Sequence, residues 1–184
     1  MRLSKARVEP VPEAEWTPEL RELLPRGVGG GRVLAIFTTL ARHPKLLKRW
    51  LVFGNHVLFK STLGAREREL AILRVGWLCR AEYEWGQHAV IGRQVGLRDE
   101  EIRRVIAGPD AAGWTPLEAA VLRAADELHE DSMISDATWK ELSKYYGVEQ
   151  LMDLIFAIGQ YTLVSMALNS LGVQLDQGIE GFPR

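Results

Sequence analysis

The sequence has a single cysteine, Cys79, among its 184 residues. One thiol excludes an intrachain disulfide, a cysteine zinc cage and a CxxC redox pair. Neither sign of charge is in excess, because 23 Lys and Arg stand against 24 Asp and Glu. Such a balance lacks the basic footprint of proteins that bind nucleic acid or anionic membranes, so we expect neither as a partner.

We expect no secretory signal, since the charged N-terminal segment is not followed by an apolar one. Residues 154–175 carry no charge and are long enough to cross a bilayer, yet polar side chains such as Gln160, Ser165 and Asn169 interrupt them. We therefore expect a helix buried on nearly all sides, in a core or a subunit interface. A cytoplasmic protein follows from both observations.

The pattern of caps and breaks predicts an all-α helical bundle in one domain. Residues 1–32 are expected to form an arm with one short helix capped by Thr17, and the glycine-rich segment 27–31 a flexible connector. Residues 33–175 form the domain and residues 176–184 a C-terminal tail. Helices are predicted over the following ranges: 18–24, 33–41, 44–60, 65–78, 82–95, 97–107, 116–130, 136–147 and 148–175.

One constellation on two neighbouring helices could carry chemistry. Glu84 and His88 are four residues apart, so their side chains share a helix face. Glu69 lies on the preceding helix and approaches that face if the two helices pack antiparallel. Two carboxylates in a pocket of low dielectric cannot both ionise cheaply, and a histidine beside them shuttles protons near neutral pH. On spacing alone, a surface ion pair between Glu84 and His88 is the alternative.

The stretch ELAILRVGWLCRAEYEWGQH, with HPKLLKRW upstream and YTLVSMALNSL downstream, resembles the carboxymuconolactone decarboxylase family of AhpD-like alkylhydroperoxidases. The likeness covers about residues 33 to 175. It implies an AhpD-like helical bundle that assembles as a homo-oligomer, a trimer or hexamer, with a dimer as the alternative.

The peroxidase branch of this family has a helix glutamate, then C-x-H-C, then a histidine four residues later. Aligning His88 with that histidine places Glu69 on the glutamate. Ala81, Tyr83 and Glu84 then occupy the positions of the first cysteine, the intervening histidine and the second cysteine. Both redox sulfurs are missing, and a thiol–disulfide cycle needs two. The decarboxylase branch lacks these cysteines, needs no cofactor and acts on a small carboxylated lactone.

Three functions remain open on this basis. The first is a cofactor-independent, carboxy-lyase-like acid/base enzyme for a small carboxylate or carbonyl compound, with Glu69, Glu84 and His88 catalytic. The second is an AhpD-like alkylhydroperoxidase with peroxiredoxin-type activity at Cys79. The third is a non-catalytic helical oligomer or ligand-binding module, in which Glu84 pairs with a surface arginine.

Other candidates are weighed against plain packing. Tyr83 and Trp85 are expected to line a binding pocket, and His56 to be a core histidine or, as the alternative, a pocket wall. Asp126 and His129 have metal-like spacing, but a dimetal bundle site needs a second such motif, so no metal is expected.

Overall fold

The computed structural model describes residues 2–25 and 31–183. Within these ranges the chain forms nine α-helices and no β-strand, which confirms the all-α prediction. The helices are α1 (Pro18–Leu23), α2 (Ala35–Leu40), α3 (Pro44–Phe59), α4 (Ala65–Leu78), α5 (Glu82–Gln94), α6 (Asp99–Ala107), α7 (Pro116–Glu130), α8 (Asp136–Leu142) and α9 (Val148–Leu171).

Side-chain caps fix the helix starts that the sequence marks. The hydroxyls of Thr17 and Ser135 accept a backbone N–H at the starts of α1 and α8. Thr115 and Glu118 form a reciprocal capping box at α7. The predicted starts of these three helices are therefore confirmed, because each cap satisfies an N–H that the helix itself leaves unpaired.

Two predicted helix ends are wrong. Helix α9 ends at Leu171 rather than at residue 175, because Gly172 takes a left-handed conformation with φ of 72°. Helix α8 ends at Leu142 rather than at residue 147, and the next residues form a tight turn in which the N–H of Tyr145 donates back to the Leu142 carbonyl. The turn stays outside the helix because the chain must enter α9 at once.

Helix α4 lies at the centre of the bundle. It packs against α5, α7 and α9, and residues 68–76 are all buried. Leu70 and Leu73 contribute to the core shared with α5, α6 and α7, whereas Ile72 and Val75 contribute to the core shared with α7 and α9. Covered on both faces, this helix is a rigid support for any side chain it presents to its neighbours.

Helices α3 and α9 are less enclosed than their apolar patterns predict. Leu46 and Phe53 of α3 are 50% and 38% exposed. Helix α9 is long and apolar enough to cross a membrane, and half of its most apolar window is buried within the protein. Phe156 and Leu163 remain more than half exposed. One side of α9 is therefore not covered by the core of its own chain, and the expected burial in a subunit interface stays a prediction.

Both ends of the chain pack onto the helices. In the arm, the Trp16 indole donates to the Val11 carbonyl (3.0 Å), and Leu20 and Leu24 pack with Leu47 of α3. The connector predicted at residues 27–31 lies, except for its last residue, outside the described residues.

The C-terminal tail is held by one carboxylate. Asp176 accepts hydrogen bonds from the Tyr83 hydroxyl (2.6 Å), the Gln87 amide (2.8 Å) and the backbone N–H of Ala35 (3.0 Å). This residue therefore ties the tail to the starts of α2 and α5.

Candidate active site

A short link brings α4 and α5 side by side. The link residue Arg80 has φ of 53°, and the N–H of Ala81 donates to the Gly76 carbonyl at 2.8 Å. A Cβ atom at position 76 would lie 3.5 Å from the backbone nitrogen of Trp85. Because 3.5 Å is an ordinary van der Waals distance, the backbones of α4 and α5 pack closely here, as the Glu69 hypothesis requires.

This packing brings the three predicted catalytic side chains together. The Nδ1 atom of His88 lies 2.6 Å from Oε2 of Glu69, and its Nε2 atom lies 2.9 Å from Oε1 of Glu84. The imidazole is therefore held between two carboxylates, one from each helix. Each ring nitrogen has an acceptor, the arrangement that favours a doubly protonated ring.

The cluster lies inside the protein. Glu69 is 0%, Glu84 4% and His88 5% exposed. The alternative of a surface ion pair is therefore wrong, and so is the expected signature of the non-catalytic module, since Glu84 pairs with a buried histidine instead of a surface arginine. Charges this deeply buried interact strongly, because little water screens them.

The environment determines the protonation of His88. Burial alone would lower the pKa of the imidazole, but the negative charges and hydrogen bonds of Glu69 and Glu84 outweigh it and raise the pKa to about 10. The ring is therefore an imidazolium at neutral pH, and its pKa lies above the neutral range in which the sequence predicts a proton shuttle.

Two further residues adjoin the cluster, and sequence reasoning missed their role. The Nε atom of Arg68 donates to Oε1 of Glu69 at 3.2 Å, and 11% of the Arg68 side chain is exposed. The rings of His88 and Tyr161 meet edge to face at 4.7 Å. Burial raises the pKa of the Tyr161 phenol, the charges of Glu84 and Glu69 add to this, and Arg68 opposes it. The adjacency of Arg68 to Glu69 in sequence was the one available signal.

The predicted binding residues lie elsewhere. The hydroxyl of Tyr83 donates to Asp176 and accepts from the N–H of Ile36 (3.2 Å), so it is not turned toward His88. The indole of Trp85 packs between Trp77 and Phe182 in the core on the other side of α5.

His56 lies on the surface. Its side chain is 50% exposed and Nε2 lies 3.4 Å from Oδ1 of Asp153. Both expectations for this residue, a core histidine or a pocket wall, are corrected because it occupies an outward position on α3.

Cys79, Asp126 and His129 make contacts that do not involve the cluster. The Sγ atom of Cys79 lies 3.8 Å from Nδ1 of His129, and burial raises the pKa of the thiol against weaker opposing effects of Ser165 and Arg2. Asp126 is bound by the Arg74 guanidinium at 2.5 and 3.0 Å. Nowhere in residues 2–25 and 31–183 are three His, Cys, Asp or Glu side chains arranged to hold a metal ion.

Three cavities lie away from the cluster. One of about 420 Å³ lies between the arm and α2, one of about 430 Å³ between α5, α6 and the tail, and an apolar one of about 170 Å³ between α2, α3 and α9. None of the three is lined by Glu69, Glu84 or His88. These three cavities therefore do not open onto the cluster.

Comparison with known proteins finds a family profile that matches part of the chain and a fold that other proteins share. The profile of the carboxymuconolactone decarboxylase family matches residues 44–127, a range that contains Glu69, Glu84 and His88. No curated protein matches the chain.

Several solved structures share the architecture. A peroxidase-related protein with an alkylhydroperoxidase AhpD core, from Ralstonia eutropha, is 20% identical with a TM-score of 0.83, over 95% of each chain. The debrominase Bmp8 in complex with 2,3,4-tribromopyrrole is 14% identical with a TM-score of 0.78, over 95% of this chain and 94% of its own. A peroxidase-related protein from Silicibacter is 16% identical with a TM-score of 0.68, over 76% of each chain. At these identities the likeness concerns the fold, which is the predicted AhpD-like helical bundle.

Proposed function

Because residues 44–127 match the profile of the carboxymuconolactone decarboxylase family, we propose that the protein is a cofactor-independent acid/base enzyme acting on a small carboxylate or carbonyl compound. The observation that carries the proposal is the buried imidazole held between two carboxylates, 2.6 Å from Glu69 and 2.9 Å from Glu84. Strongly perturbed titratable groups of this kind cluster at functional sites.

The proton of His88 is the chemical resource of the site. In a decarboxylation, the bond between the substrate carbon and its carboxylate breaks, carbon dioxide leaves, and the electron pair stays on that carbon, delocalised onto an adjacent carbonyl. The carbanion then takes a proton. The His88 imidazolium supplies it, by way of the Glu84 carboxylate to which Nε2 is hydrogen-bonded, and solvent restores it afterwards.

Glu69 is a positioning residue in this scheme. Its Oε2 atom fixes the ring through Nδ1, and its charge keeps the imidazolium protonated until the reaction uses the proton. Its other oxygen is held by Arg68 at 3.2 Å, so the carboxylate cannot rotate without breaking two contacts.

The experiment is a screen of small carboxylated lactones and β-keto acids, measured as release of carbon dioxide. Variant His88→Gln fills much of the space of the ring with no titrating group and should lose at least about a hundredfold in kcat, the usual contribution of a general acid. His56→Gln, a surface histidine 50% exposed, is the matched control and should keep full activity. Turnover by folded His88→Gln at the parental rate would refute the assignment.

Thiol-dependent reduction of hydroperoxides is the second candidate. It is favoured by the 3.8 Å contact between Cys79 Sγ and His129 Nδ1, since the imidazole can take the thiol proton. The thiolate would attack the peroxide oxygen, an alcohol would leave, and an external thiol would reduce the resulting sulfenic acid. The raised pKa of the Cys79 thiol opposes this chemistry. A Cys79→Ser variant that reduces an organic hydroperoxide at the parental rate would eliminate it.

We also propose that a second copy of this chain covers the exposed apolar side chains of α3 and α9, as the family resemblance implies an oligomer. Phe53 and Phe156 meet edge to face there at 6.0 Å, and Leu163 and Met166 are 56% and 60% exposed. Leu163→Glu should shift the molecular mass in light scattering to that of a single chain; a wild-type monomer would reject the assembly. Separately, we propose that the protein is located in the cytoplasm.

A further inference from the structure

We propose that Arg68 binds a carboxylate group of the substrate, with the Tyr161 hydroxyl as a second donor, and that these two residues form the entrance of the site. This inference rests on the proposed function and adds the chemical class of the ligand, a small organic anion. It starts from donors beside the cluster that the protein itself leaves unused.

Arg68 uses one of its donors. The guanidinium has five N–H groups, and within the described part of the chain only the one on Nε is hydrogen-bonded, to Glu69. The residue is 9% exposed and its terminal nitrogens keep some contact with solvent, so a ligand that arrives from outside can reach them. Because these nitrogens form a planar fork, the group that satisfies them best is a carboxylate bound through two parallel hydrogen bonds.

Tyr161 offers a second unused donor at the same place. Its ring packs edge to face on His88, and its hydroxyl makes no hydrogen bond to any described residue. The charges of Glu69, Glu84 and Arg68 all act on this phenol, so it lies among the charged groups of the cluster. Tyr161 is 8% exposed and its hydroxyl keeps some contact with solvent, so a ligand can reach this hydroxyl and accept a hydrogen bond from it.

An unpaired acceptor stands near these donors. Oε1 of Glu84 accepts from His88, whereas Oε2 has no hydrogen-bond partner within residues 2–25 and 31–183. Because Tyr161 packs on His88 and the charges of both Glu84 and Arg68 act on its phenol, a substrate held by Arg68 and Tyr161 would lie at the cluster. Because 11% of the Arg68 side chain is exposed while Glu69 is fully buried, the open side of the site is the side of Arg68.

The test uses a pair of isosteric probes that differ in charge. Trifluoroacetate is an anion and trifluoroacetamide is neutral, and binding of either is measured by fluorine NMR line broadening together with the shifts of the His88 ring nitrogens. We expect trifluoroacetate to bind saturably and to shift the His88 signals, and trifluoroacetamide to do neither.

Variants assign the binding to Arg68. Arg68→Met should weaken trifluoroacetate binding at least about tenfold, the effect of losing charge-assisted hydrogen bonds. Arg68→Lys, which keeps the charge without the fork, should lose less, and Tyr161→Phe about fivefold. Arg49→Met removes an exposed arginine of α3 and is the matched control, with binding within about twofold of wild type.

Equal binding of trifluoroacetate by wild type and Arg68→Met, or equal binding of the amide and the anion, would overturn the inference. If Arg68→Met does not fold, Arg68→Lys and Tyr161→Phe still decide, since unchanged binding in both overturns it equally. Anion binding is measured without turnover. Loss of binding in the Arg68 variants together with full activity of His88→Gln would therefore remove the proposed reaction and leave the anion site standing.

Discussion

The stability of the protein should depend on pH through His88. The pKa of this imidazole is about 10 in the folded protein against an ordinary value of 6.5. The folded state therefore holds a proton that the unfolded state releases, so its stabilising contribution is complete below about pH 6.5 and is lost as the pH rises to about 10. Each pKa unit corresponds to about 1.4 kcal/mol, so the loss in unfolding free energy approaches an upper bound of about 5 kcal/mol.

The measurement is denaturant unfolding of wild type and His88→Gln across this range. The variant leaves two buried carboxylates beside a neutral amide, which costs about 3 to 5 kcal/mol at neutral pH. The difference in unfolding free energy between the two proteins should shrink as the pH rises, because only the wild type loses the His88 proton. Titration of Lys and Tyr is common to both proteins and cancels in this difference. His56→Gln, which removes an exposed pair with Asp153, should stay within about 1 kcal/mol of wild type at every pH. A difference that is constant from neutral pH to pH 10, or a His88 ring that titrates near 6.5 by NMR, would contradict the reasoning.

Three other features give quantitative expectations. The hydrogen bonds of Arg66 and Arg98 outweigh burial and lower the pKa of Glu101 to about 2. Glu101→Gln should therefore lower the unfolding free energy by roughly 3 kcal/mol at neutral pH. This loss should disappear as the pH falls from about 4.5 to 2 in acid unfolding curves. Gly86→Ala places a Cβ atom 2.5 Å from the Glu180 carbonyl of the tail and should lower the unfolding free energy by about 1 to 3 kcal/mol. Gly159→Ala, which meets nothing within 4 Å, should raise it by about 0.5 to 1 kcal/mol in the same denaturation assay. Phe182→Ala should lose about 3 kcal/mol, since its ring packs on both Trp77 and Trp85; unchanged denaturation would separate the tail from the fold.

The sequence predicts most of the helices because their ends are local events. Thr17 and Thr115 act within three residues of themselves, and the start of α4 after Gly64 needs only the following residues. The cluster of Glu69, Glu84 and His88 is predictable for a similar reason. Glu84 and His88 lie one helix turn apart. The short link between α4 and α5 makes these helices antiparallel neighbours, and this packing brings Glu69 beside the other two residues.

Contacts between distant segments were not predictable in the same way. Asp176 takes up the hydroxyl of Tyr83 from 93 residues away in sequence, and this contact turns a predicted binding residue into an anchor of the tail. Tyr161 reaches His88 from a third helix. Which apolar faces stay exposed is equally hard to predict. A hydrophobic pattern indicates that a side chain avoids water, but not whether its own chain or another copy covers it.

The cluster stabilises the fold less than apolar residues would, and this is the strongest reason to consider it a functional site. A well-packed apolar trio would stabilise the same space between α4 and α5 as well or better, since removing charges from water costs more than most ion pairs return. Instead, Glu69, at 0% exposure, is held by two cationic groups, and an imidazolium with a pKa of about 10 lies beside a second carboxylate. The arrangement keeps a mobile proton in a dry place at neutral pH, with unused donors on Arg68 at its open side. Those are the properties required to deliver a proton to a carbanion before water does.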